Sequence, residues 1–249
     1  MKYIMNMQLK EAVFKSDYRR TVISFFKKSI SLYQNGEFYK NLYENGSAQK
    51  NLVWSIGFNK PKFNKDIITL EENNFVLTLK ISDPETALIY YSSLLKMKNI
   101  EFPVGNQNSM QLKNIRMVRE STLNEDFAVF KILSPICLKQ HMDKSNKDFY
   151  VSIDDEGFAC ELERKLIEDL PYYKEKIRNM TFNFDGLRKI IVRAYGLKFP
   201  VTIGTFAVQG DSKILNHILK NGIGSKRNSG FGLVEVVVQK EVMQGDSNG

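Results

Sequence analysis

The sequence predicts an α+β fold of two tandem units, each running strand, helix, strand, strand, helix, strand. Three observations predict it. Stretches with period-two apolar alternation, such as Tyr3, Met5, Met7 and Leu9, take turns with stretches at helical spacing, such as Val22, Phe26 and Ile30. A polar break, Glu-Ser-Thr-Leu-Asn-Glu-Asp over residues 120–126, splits the chain, and the order of elements before it recurs after it. A length of 249 residues with 43% hydrophobic content suits one large or two small packed domains. The order βαββαβ is the ferredoxin-like, or RRM-like, arrangement. The expected domains are 1–122 and 123–243, with the small polar residues 244–249 as a disordered tail.

In the first unit a strand is expected within residues 2–14. Asp17 is placed to cap a helix from Tyr18 to about Tyr33. Its apolar face is Val22, Ile23, Phe26, Ile30 and Tyr33; Arg20, Ser24, Lys27 and Ser31 line the opposite face, with Lys28 beside it. Gly36 breaks this helix, and residues 37–46 read as a second short helix ending at a glycine. A strand follows at 52–58. A hairpin-like pair is expected at 66–71 and 75–81, turning at residues 72–74. Asp83-Pro84 opens a helix to about Lys98, with proline in its first turn. A last strand lies within Met110–Arg119.

The second unit repeats the pattern without evident sequence identity. Phe127–Leu138 reads as strand, interrupted at Ser134-Pro135. Asp154 to about Leu170 reads as helix, with Phe158, Leu162, Leu166 and Leu170 on one face. Strands are expected at 177–184 and 188–209, the second with a bend near Gly196–Pro200. Ser212–Asn221 is helix, and a final strand runs to about Val242.

Composition bounds the function. The net charge of +8 favours a polyanionic partner. No long apolar run follows the first lysine, and no stretch reaches the roughly 18 apolar residues of a membrane helix. Two cysteines, Cys137 and Cys160, predict a reducing compartment without a disulfide framework, so a cytoplasmic protein. Those cysteines with His141 and His217 match no zinc spacing, and no carboxylate cluster suggests magnesium.

The most informative stretch is Lys220–Glu235, KNGIGSKRNSGFGLVE. It holds four of the fifteen glycines, Gly222, Gly224, Gly230 and Gly232, as two glycine-apolar-glycine doublets around Ser225, Lys226, Arg227, Asn228 and Ser229. No acid occurs between Asp211 and Glu235, while Lys213, Lys220, Lys226 and Arg227 do. A lone doublet reads as a helix-to-strand turn with Gly222 as C-cap. Two doublets enclosing cations read as a phosphate-binding loop. Neither the P-loop nor the dinucleotide fingerprint fits, since no glycine precedes Lys-Ser or Lys-Thr and the order here is helix, loop, strand.

This loop resembles the glycine-rich loop of the CRISPR repeat-processing endoribonucleases, the Cas "six" family of the RAMP superfamily. Asp17-Tyr18-Arg19-Arg20 at the first helix and Leu133-Ser134-Pro135-Ile136 in the second unit are similar to that family's sequences at corresponding places. The resemblance implies tandem ferredoxin-like units over about the whole chain. It also implies binding of repeat RNA in the precursor transcript and metal-free cleavage, in which a ribose 2′-hydroxyl attacks the adjacent phosphate. No cofactor or metal is implied. Gly222, Gly224, Ser225, Lys226, Arg227, Asn228, Gly230 and Gly232 are the implied RNA-binding residues, with Arg20 and Lys27 on the first helix. Other CRISPR effector subunits and a homodimer are the further partners considered.

The family's usual histidine is missing. Tyr43 stands where it would align, with Tyr39 one helical turn earlier, Lys50 where the family often has lysine, and Lys28 able to approach from the first helix. Two readings stay open. Either Tyr43, Tyr39, Lys50 and Lys28 form a histidine-free catalytic site, or the protein binds repeat RNA with little or no cleavage.

Overall fold

The computed structural model describes residues 1–44, 52–142 and 147–237. Its first unit comprises β1 (Lys2–Leu9), β2 (Val13–Lys15), α1 (Tyr18–Leu32), β3 (Leu52–Phe58), β4 (Lys62–Phe63), β5 (Ile67–Thr69), β6 (Asn74–Ile81), α2 (Pro84–Lys96), β7 (Phe102–Gly105) and β8 (Asn108–Val118). The main sheet has the order β3-β6-β1-β8-β7. Apart from the edge strand β7, this is the ferredoxin-like order of second, third, first and fourth strand. Tyr3, Met5, Met7 and Leu9 all point into the core, as their alternation requires. Against them lie Val22, Phe26 and Ile30 of α1, with Tyr90 and Leu94 of α2. Each such fully buried large apolar side chain contributes about 1.5–3 kcal/mol.

The second unit comprises β9 (Phe127–Ile132), β10 (Leu138–Met142), β11 (Lys147–Val151), α3 (Phe158–Asp169), α4 (Lys174–Arg178), β12 (Thr181–Asn183), β13 (Leu187–Ala194), β14 (Leu197–Gln209), α5 (Ser212–Asn221) and β15 (Val234–Val236). Its sheet order β12-β14-β9-β15 repeats the ferredoxin-like order. Phe158, Leu162 and Leu166 of α3 pack with Leu215 and Ile218 of α5 over Phe130 and Phe206.

Several local expectations are corrected. The strands near 66–81 are not a hairpin. β6 pairs with β3 and β1, whereas β5 joins β2 and β4 in a small separate sheet. Residues 188–209 form a two-strand hairpin, not one bent strand. Tyr195 (φ 57°) and Gly196 (φ 80°) supply the left-handed pair that a tight two-residue turn needs. The expected helix over 37–46 is one π-helical turn at Lys40–Glu44, and Gly46 lies outside the described residues. The hairpin β10–β11 and the strand β7 were not anticipated. α3 begins at Phe158, not Asp154; β15 spans Val234–Val236, and residues 238–242 of the expected final strand lie outside the described residues. The expected tail, 244–249, is outside the described residues.

Asp17 does not cap α1 with its side chain. Its carboxylate accepts hydrogen bonds from the backbone N–H groups of Tyr195 (3.0 Å) and Gly196 (2.9 Å), gripping the hairpin tip of the other unit. At the far side of the same seam, Lys80 of β6 is 1% exposed. It donates to the carbonyls of Leu219 (2.8 Å) and Val234 (3.0 Å) and pairs with Glu120 at 2.6 Å. Lys2 pairs with Glu235 across the seam as well. Among the described residues no helix is long and apolar enough to cross a membrane.

Candidate functional site

The glycine loop leaves α5 at Gly222, which is its C-cap with φ 72°. The structural reading of that glycine therefore holds, and the loop beyond it is largely buried. Ile223 and Phe231, the apolar centres of the two doublets, are fully covered. Gly230 (φ 83°) lies against the Trp54 ring, where an added Cβ would stand 2.6 Å from the indole. The Trp54 indole N–H donates to the Asn228 carbonyl at 3.0 Å. The Arg19 guanidinium reaches toward the Gly230 carbonyl (3.4 Å) and covers the Phe231 ring at 4.1 Å. The glycines thus permit close packing against β3 and α1 of the first unit. They do not open a free backbone cradle.

Arg227 requires a correction of its expected phosphate contact. Its side chain is buried and makes a bidentate pair with Asp169 at the end of α3, at 2.5 and 2.8 Å, plus a contact to the Gly222 carbonyl. His217 lies 3.7 Å from the same carboxylate, and its other ring nitrogen meets the Asn221 amide at 3.2 Å. Burial pushes the Asp169 carboxyl up, but the nearby His217 ring and the hydrogen bonds and charge of Arg227 more than offset this, leaving it below its usual range. Ser225 is also internal: its N–H donates to the Cys137 carbonyl (2.7 Å), and its hydroxyl accepts from the Lys139 N–H (3.3 Å).

Lys226 points the other way. It is half-buried with φ 58°, a left-handed residue that projects its side chain from the packed loop. Its ammonium lies 5.8 Å from the Tyr150 ring centroid and 5.9 Å from that of Tyr195. Asn228 is half-buried beside it. Arg20 is exposed near the start of α1 and lies over the Tyr195 ring at 5.7 Å. Sequence reasoning missed Tyr150 and Tyr195, because each arrives on a hairpin distant in the chain.

At the other end of α1 sits the second predicted cluster. The Tyr39 and Tyr43 rings are tilted together at 5.5 Å, and the Lys27 ammonium lies 5.3 Å over Tyr43. Lys27 thus joins this group and not the loop. The Tyr43 hydroxyl shares a 2.6 Å hydrogen bond with the Tyr90 hydroxyl of α2, and burial drives its pKa far upward. A hydroxyl so placed is a poor proton acceptor, which argues against Tyr43 as the base of the expected histidine-free site. Lys28 is exposed on the adjacent strip of α1, and Lys50 lies outside the described residues.

Residues 118–236 match the family profile "CRISPR associated protein Cas6, C-terminal". No curated protein sequence matches the chain. Among solved structures, a Cas6-related protein of Pyrococcus furiosus superposes with TM-score 0.79 at 17% identity, covering 96% of this chain and 99% of that one. A RAMP protein described as binding different RNA substrates gives 0.76 at 19% identity, covering 96% and 100%. A Thermus thermophilus Cas6 product complex gives 0.72 at 15% identity, covering 95% and 99%. At these identities the likeness speaks to the fold alone, that of tandem ferredoxin-like units. The profile match runs through the glycine loop, so the second unit is similar to the C-terminal domain of the Cas6 proteins.

Proposed function

We propose that this protein binds CRISPR repeat RNA and serves in maturation of the precursor transcript. The observation that carries the reading is the outward Lys226 on an otherwise buried loop, facing the same seam as exposed Arg20. Lys226, Arg20 and Asn228 are the proposed RNA contacts of this surface, with Lys27 at the far end of α1. The glycines, Ser225 and Arg227 act indirectly by shaping the loop. Phosphate contacts make affinity fall steeply with salt.

A second reading, cleavage, is favoured by the gathering of Tyr39, Tyr43 and Lys27 beside exposed Lys28. In it the ribose 2′-hydroxyl attacks the neighbouring phosphate without metal, leaving a cyclic phosphate and a 5′-hydroxyl. Solvent water takes the 2′-hydroxyl proton, and Tyr39 gives its own proton to the leaving 5′-oxygen and recovers one from solvent afterwards, while Lys28 and Lys50 neutralise the developing phosphorane charge. Tyr43 holds the Tyr39 ring.

The test is purified protein with labelled repeat RNA in EDTA, beside a substrate carrying 2′-deoxy at the cut site. Cleavage of the first alone supports the endoribonuclease, and Tyr39→Phe with Lys50→Ala then slows it by about 10²-fold or more. Tight, salt-sensitive binding without cleavage supports a repeat-RNA-binding subunit. Absence of salt-sensitive binding overturns both.

A further inference from the structure

We propose that Tyr150 is the stacking platform for one unpaired base of the bound RNA, with the phosphate beside that base held by Lys226. This rests on the RNA-binding reading above. Tyr150 lies in β11, in the hairpin that sequence reasoning did not anticipate. Its ring stacks on Phe199 with centroids 4.1 Å apart and planes 19° from parallel. Phe199 in turn rests on Phe231, the buried centre of the second glycine doublet, at 5.8 Å. One face of Tyr150 is therefore fixed by the core, and the ring cannot turn without disturbing the loop. Tyr150 is half-buried, and the Lys226 ammonium stands over it.

A cation held over an aromatic face is a pair that single-stranded RNA can separate: the ammonium moves to a phosphate, and the exposed ring receives a base. Among the described residues, the neighbouring carboxylates have partners other than Lys226. Asp148 pairs with Lys139 at 2.9 Å, and Asp17 holds the Tyr195–Gly196 turn. The turn in turn presents the Tyr195 ring between Lys226 and Arg20. Rings and cations thus alternate along the strip Tyr150, Lys226, Tyr195, Arg20. That alternation suits a strand whose bases are splayed out, since every base has a π-face and every step a phosphate.

The experiment scans 2-aminopurine through the single-stranded positions of repeat RNA and follows its fluorescence on binding, with affinity measured over a range of salt. The expected result is quenching at one position in the wild type, retained in Tyr150→Phe and lost in Tyr150→Leu. Tyr150→Leu raises Kd about 5- to 100-fold, the cost of one base–aromatic stack. It leaves the slope of log affinity against log salt unchanged, whereas Lys226→Ala shallows that slope by about 0.7, one phosphate's share on a single strand. The thermal midpoint of Tyr150→Leu, measured in parallel, reports folding. If the wild type binds and the folded Tyr150→Leu variant binds equally well with the same quenching, Tyr150 is not the platform. If the wild type itself fails to bind repeat RNA, the broader reading fails first.

Discussion

Arg227 and Lys226 are adjacent cations with opposite fates. Arg227 is turned into a buried pair with Asp169, and Lys226 is turned out by its left-handed backbone. Arg227→Ala leaves the Asp169 carboxylate largely buried without its principal partner, and is expected to cost about 3–5 kcal/mol of stability in denaturant titration. The salt slope of RNA affinity measured on the folded fraction should not move. The pair also sets an acid limb. The folded pKa of Asp169 is depressed, so its contribution is present above the unfolded value and is lost as pH falls through the folded one. Unfolding midpoints recorded from about pH 6 down to about pH 3 should fall less steeply in Arg227→Ala than in the wild type. At Tyr43, substitution by phenylalanine removes a hydroxyl that is bonded to Tyr90 and whose ionisation burial disfavours. A stability loss of about 1–3 kcal/mol is expected, with any RNA cleavage rate unchanged.

At the scale of the element, the glycine loop is a key that the first unit holds. Trp54 grips its middle, Arg19 its second doublet and Lys80 both of its ends. Gly230→Ala would drive a methyl group into the indole from a backbone angle that alanine disfavours. Because Trp54 is the only tryptophan, its emission reports this contact directly. Gly230→Ala is expected to shift that emission to the red and to weaken RNA binding together, although residue 230 itself makes no proposed RNA contact. An unshifted spectrum with lost binding would instead mean that Gly230 touches the RNA.

For the whole molecule, the two units should behave as one cooperative body. The seam combines Lys80 with Glu120 and two carbonyls, Lys2 with Glu235, and Asp17 with the hairpin tip. Lys80→Met leaves Glu120 buried against an apolar side chain and two carbonyls without their donor, a loss of about 3–5 kcal/mol. Calorimetry should show one transition in the wild type and two in Lys80→Met. A single unbroken transition in the variant would mean that the units are coupled through other contacts.

The sequence by itself determined the two ferredoxin-like units, most helix positions and the importance of the glycine loop. These follow from local periodicity, from Asp83-Pro84 capping α2 and from glycine spacing, all of which act within a few residues. It also placed neither histidine, His141 nor His217, in the segment 37–46 that follows the first helix. Only the tertiary structure decided which way each loop residue faces. Arg227 looked free because no acid stands near it in the chain, yet Asp169 arrives from α3, 58 residues away. Tyr150 and Tyr195 were silent for the same reason. Their strands pair within hairpins, but their rings meet Lys226 only because two separate hairpins of the second unit close on the same loop. Burial and charge pairing are sums over neighbours in space, and those neighbours exist only once the chain has folded.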